Sequence, residues 1–103
     1  MKKIDEIGLV IAERQLDGVD DGKPCRVVVR FGKPFQHPDD DSWCCPYSIR
    51  TEKSERVFFG AGVDSLQALR IAISMVSAEL TTLFSHLALK WAGEDDLGLS
   101  SQL

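Results

Sequence analysis

The chain has no Cys-x-x-Cys pair, only two histidines, a single tyrosine and no apolar run of the roughly 20 residues that a membrane helix needs. Its three cysteines, Cys25, Cys44 and Cys45, are an odd number, and two of them are adjacent, where a disulfide would be strained. That pattern fits free thiols in a reducing compartment better than a secreted disulfide scaffold. The start Met1-Lys2-Lys3 is basic like that of a signal peptide, but Asp5 and Glu6 follow instead of an apolar run, so no secretory leader is expected. Basic charge is scarce as well: 12 Lys and Arg against 16 Asp and Glu leave a net charge of −4. The sign is wrong for a free duplex nucleic-acid binder. The expectation is a cytoplasmic protein with no membrane partner, for which the net charge disfavours nucleic acid.

Catalytic and metal-binding patterns are equally thin. His37, Asp39, Asp40, Asp41, Cys44 and Cys45 supply ligand types, but no second Cys/His pair follows, and the Gly and Glu of a calcium loop are missing, so no metal is expected. A Cys45–His37 nucleophile and base would need the loop between them to fold back, and His86 has no evident carboxylate neighbour in sequence. Gly60-Ala61-Gly62 precedes a helix but lacks the spacing and the Lys of a phosphate-binding loop. No catalytic residue, cofactor or metal is assigned, and the chain reads as a non-enzyme.

What is present is a small folded domain. One hundred and three residues, 44% of them hydrophobic, suffice for one modest core. Residues 7–16 read as a strand through Ile7, Leu9 and Ile11, and the Asp/Gly-rich 17–23 as a turn. Residues 25–31 are the clearest strand, with Cys25, Val27, Val29 and Phe31 on one face and Arg26, Val28 and Arg30 on the other. An acidic loop spans 34–42. Residues 43–50 form a third strand, with Trp43, Cys45, Tyr47 and Ile49 inward and Ser48 and Arg50 outward. Pro46 cannot donate a ladder hydrogen bond and suggests an edge or a bulge there. A short fourth strand spans 55–61.

A helix follows, capped by Asp64 with Gln67 three residues on. Its apolar stripe runs Leu66, Leu69, Ile73, Val76, Leu80, Leu83 and Leu87. Gly93 is the expected stop near Lys90 or Trp91, giving a rod of roughly 40 Å. The fold class is therefore α+β: a four-stranded antiparallel meander sheet with one long C-terminal helix packed on one face. Residues 1–92 form the domain and 93–103 a flexible acidic tail.

Two surfaces stand out. Arg14, Arg26, Arg30 and Arg50, with Ser48 and Arg56 nearby, read as one arginine-bearing sheet face. It is suited to an anion or a partner, but no aromatic ladder is interleaved for stacking bases. The helix stripe of Arg70, Ser74, Ser77, Thr81 and Ser85, together with Gln67, carries little charge. A flank of Ala68, Ile71, Ala72, Met75 and Ala78 adds small and apolar surface. Small side chains let helices approach closely, so this stripe and the excess helix length predict a homodimer.

Gly62-Val63-Asp64-Ser65-Leu66-Gln67-Ala68-Leu69, together with Cys45-Pro46-Tyr47-Ser48-Ile49 and Ala12-Glu13-Arg14-Gln15-Leu16, resembles a family of small bacterial proteins of unknown function. In that family a Cys-Pro-x-x-Ile strand leads to a Gly-Val-Asp-x-x-Gln-Ala-Leu helix. The resemblance covers most of residues 9–87 and implies an antiparallel sheet with a C-terminal helix; it brings no catalytic residue, cofactor or substrate. Gly62, Gln67 and Ala68 in the motif have ready structural roles: a sharp entry to the helix, a bond back to the Asp64 amide, and a close fit to the sheet. The functional expectation is a protein–protein interaction domain, with anion or nucleic-acid binding on the arginine face as one alternative. Capture of a basic partner, as an immunity-like or antitoxin-like protein would do, is another, suggested by the net acidity.

Overall fold

The computed structural model of the chain describes residues 6–99. Met1-Lys2-Lys3 and the last four residues of the expected tail lie outside the described residues. β1 (Val10–Asp20) and β2 (Lys23–Gly32) form a long hairpin closed at Asp21 and Gly22, both with positive φ. The turn is tighter than the composition of 17–23 suggests, because Asp17, Gly18 and Val19 continue the ladder opposite Arg26, Cys25 and Pro24. At its other end β1 starts late: Gly8 has a φ of 69°, and the register shifts between Val10 and Ala12. The alternation through Ile7 and Leu9 is therefore not strand.

Three further strands complete an antiparallel sheet: β3 (Phe35–Gln36), β4 (Trp43–Arg50) and β5 (Glu55–Gly62). The described residues thus form five strands, not four, because the acidic loop contributes the two-residue β3. β5 pairs along the whole of β4. The other edge of β4 is shared by β2, which pairs with Tyr47–Arg50, and β3, which pairs with Trp43 and Cys44. Pro46 sits at the break between these two partners. It marks neither a sheet edge nor a bulge: β4 is central, and the missing N–H falls where the ladder changes hands.

One face of the sheet carries Leu16, Val27, Val29, Phe31, Cys45, Tyr47 and Ile49, all buried, as the parity of β2 and β4 requires. The reverse face of β4 is also covered. Cys44, Pro46 and Ser48 are buried, although Ser48 was expected in solvent. The segment before β1 crosses this face: the backbone of Ile7 lies against Gly32 beside the Pro46 ring, and Lys33 donates its amide to the Leu9 carbonyl at 2.8 Å.

α1 (Ser65–Thr82) lies over β4 and β5. The Asp64 carboxylate accepts the Gln67 amide at 2.8 Å, as an N-cap should, while the Gln67 side chain reaches one residue further than a capping box predicts and accepts the Val63 amide at 2.8 Å. The face turned to the sheet is Ala68, Ala72, Val76 and Leu80. The helix is therefore rotated from the expected stripe. Leu66 and Leu83 are exposed at 63% and 53%, Leu69 and Ile73 are half-buried, and two alanines expected on an outer flank are at the core. Gly62 is needed for close approach rather than for a turn, since a Cβ there would stand 2.6 Å from the Ala68 amide nitrogen.

The helix also stops eight residues or more before the expected end. Thr81 and Thr82 turn their hydroxyls back onto the Ala78 carbonyl, at 3.0 and 2.8 Å, competing with the backbone at the last turn. A 3₁₀ turn (Ser85–Leu87) follows, then Ala88 in the left-handed region. The physical gain is coverage. A straight helix over β4 and β5 cannot roof β1 and β2, whereas the bent chain brings Leu87, Leu89, Leu97 and Leu99 to that core. Lys90 exchanges both backbone hydrogen bonds with Asp17 at 2.7 and 2.9 Å, and the chain turns back between Trp91 and Glu94. No helix is long and apolar enough to cross a membrane among the described residues.

Candidate partner-binding groove

The arginine face divides when folded. Arg14 stands opposite Val29, on the helix side of the sheet, stacked over Trp91 at 3.7 Å from the ring centre. Its guanidinium donates to the carbonyls of Leu97 and Gly98 at 3.0 and 3.2 Å. Arg56 is on the helix side too, bonded to Glu79. The period-2 reading could place Arg14 only by parity along β1, and the register shift near Ile11 together with the misplaced strand start defeated it.

Arg26, Arg30 and Arg50 do share the reverse face. Arg30 donates to Glu13 at 2.7 Å, and Arg26 lies 3.7 Å from Asp17. The Arg30 hydrogen bond, joined by one from Gln15, holds the Glu13 carboxyl below its ordinary value. Arg50 makes no ion pair among the described residues. The concavity beside Arg30 also carries Glu6 and Glu55, so the three arginines do not converge on one anion.

Cys44 and Cys45 are buried and Cys25 half-buried; burial pushes all three thiols up, Cys45 to about 11. A raised thiol is a poor nucleophile at neutral pH. His37 accepts the Asp39 amide through Nδ1 at 3.1 Å, within an acidic turn where Asp40 also accepts from Ser42. No group of three metal-ligating side chains converges among the described residues. His86 has a carboxylate neighbour after all: it joins Asp20, Lys53 and Cys25 in a cleft at the turn end of the sheet, where Lys53 pairs with Asp20 at 2.9 Å. That ion pair lies far from His86 in sequence, so only the fold reveals it.

The remaining helix expectation leads to a groove. Ser77, Thr81 and Ser85 line a cavity of about 410 Å³ between α1 and the C-terminal segment. Its floor is Leu80, Phe84 and Leu89, and its far wall is Leu97 and Leu99 with Asp95 and Asp96 at the rim. Arg70 is exposed and Ser74 half-buried further up the same side of the helix. The groove exists because Leu97 and Leu99 fold back over the sheet beside α1, which nothing in the local sequence after Gly93 foretells. The shorter helix has no excess length that a second copy would need to cover; the stripe and its groove remain.

A five-stranded antiparallel sheet roofed by one helix and a returning C-terminal segment defines a small α+β domain. The chain belongs to the family described as Domain of unknown function (DUF6968), whose model matches residues 12–101. No curated protein matches the chain. No solved structure matches it.

Proposed function

We propose that this α+β domain is a non-enzymatic protein–protein interaction module of the cytoplasm that associates with a second copy of itself. The observation that carries the reading is the groove beside α1. It places apolar side chains next to a helix face poor in charge, and Leu66, 63% exposed, lies on the same flank of α1 about three turns nearer the helix start. Exposed large apolar residues grouped beside a concavity are the surface a partner covers. The raised thiols and the dispersed histidines support a role without chemistry, and three free cysteines suit a reducing compartment.

The anion-binding alternative has less behind it, because Arg26 and Arg30 already hold carboxylates and Arg14 faces the other way. Neutralisation of a basic partner rests on the net charge of −4. Sedimentation velocity over a concentration series from micromolar to millimolar tests self-association. A concentration-dependent dimer is expected; a monomeric mass throughout overturns the reading.

A further inference from the structure

We infer that the second copy docks with its helix antiparallel to α1, about a twofold axis passing between Ile73 and Ser74, so that each Leu66 enters the other copy's groove and each Arg70 meets the other copy's Asp96. This rests on the self-association proposed above and adds its geometry. Helical spacing puts Leu66, Arg70, Ile73 and Ser77 on one flank of α1. A twofold axis at that point sets Leu66 opposite the second copy's Thr81 and Arg70 opposite its Ser77. Thr81 and Ser77 are the groove's helix-side lining, and the groove's opposite rim is Asp95 and Asp96.

The charges select this occupant. Asp95 is already paired with Lys90 at 2.5 Å. Asp96 accepts only the Gly98 amide, at 2.8 Å, and makes no ion pair among the described residues. Arg70 is exposed and likewise makes no ion pair among them. Within one copy the two are left over; across a twofold axis they pair twice. Ser74 beside the axis and Ser77 facing Arg70 are small enough for helix axes to approach to about 8–10 Å. Leu66 supplies the apolar knob that the Leu80, Phe84 and Leu89 floor lacks. An isologous contact of this kind closes on itself and does not propagate.

The test uses the full chain with Leu66→Asp, Arg70→Asp and Asp96→Arg, compared by light scattering and sedimentation. All three positions are exposed, so each variant is expected to keep the wild-type far-UV circular dichroism, which is checked first. Each single variant should dimerise about tenfold or more weakly. An equimolar mixture of Arg70→Asp with Asp96→Arg should recover dimer, because one copy then offers only acidic and the other only basic partners at both contacts. Single variants that dimerise like the wild type, or a mixture that does not recover, overturn this geometry while leaving self-association in place. A wild-type chain that is monomeric at every concentration removes both.

Discussion

Gly60 of β5 lies so close to Ala72 of α1 that a Cβ on residue 60 would stand 2.5 Å from the Ala72 amide nitrogen and 2.8 Å from the Ala68 carbonyl oxygen. Those atoms belong to a helix backbone and cannot step aside. The helix therefore rides on a glycine of β5, with Ala68 and Ala72 as the only side chains small enough for the contact. Gly60→Ala should cost about 1–3 kcal/mol, the range for overpacking a filled core. Urea denaturation measures it, and a variant as stable as the wild type would show that α1 sits further from the sheet.

Stability should fall on the alkaline side, and Cys45 is a principal cause. Burial raises its pKa from 9.0 to about 11, so the folded state holds a proton that the unfolded chain releases first. The associated stability is complete below pH 9.0 and is lost as pH rises through about 11. With each pKa unit worth about 1.4 kcal/mol, the loss is on the order of 2–3 kcal/mol. Tyr47, buried and hydrogen-bonded to Glu79, shifts the same way and extends the decline above pH 10.0. Denaturation at a series of pH values should show the slope in the wild type and a shallower one in Cys45→Ala, on top of a uniform loss from the cavity.

Arg14 fastens the C-terminal segment. Its guanidinium stacks on Trp91 and holds two carbonyls beyond it. Arg14→Ala should destabilise the protein by about 1–2 kcal/mol, combining a cation–π contact with two charge-assisted hydrogen bonds. The sharper readout is local: amide exchange in residues 94–99 should accelerate far more than in β4 or β5. Uniform acceleration, or none, would remove the fastening role.

Ser48 presents the opposite case. Its hydroxyl is buried on the reverse face of β4 and finds no hydrogen-bond partner among the described residues. Ser48→Ala removes a group that gains nothing from burial, so stability should hold or rise by about 1 kcal/mol. A clear loss on thermal denaturation would show that the hydroxyl is engaged.

Much of this was legible in the chain. Cys25, Val27, Val29 and Phe31 announced β2, and Trp43, Cys45, Tyr47 and Ile49 announced β4, because strict alternation with large apolar residues leaves only one face for the core. Asp64 announced the start of α1 through its capping chemistry. The order of elements and the short connections then left an antiparallel meander with a helix across it as the simple solution. The groove was visible only in part: Ser77, Thr81 and Ser85 could be named as a stripe, but not the wall opposite them.

The local pattern thus fixed which residues alternate and where the helix begins, since those follow from backbone geometry within a few residues. Tertiary packing decided the rest. The rotation of α1 was set by Gly60 and Gly62, which admit Ala68 and Ala72 where leucines would not fit. The early stop of the helix was set by the uncovered half of the sheet, which needs Leu87, Leu89, Leu97 and Leu99 above it. The side taken by Arg14 was set by a register shift near Ile11. Each is a choice among locally acceptable conformations, made by contacts between residues distant in sequence, and no window along the chain contains them.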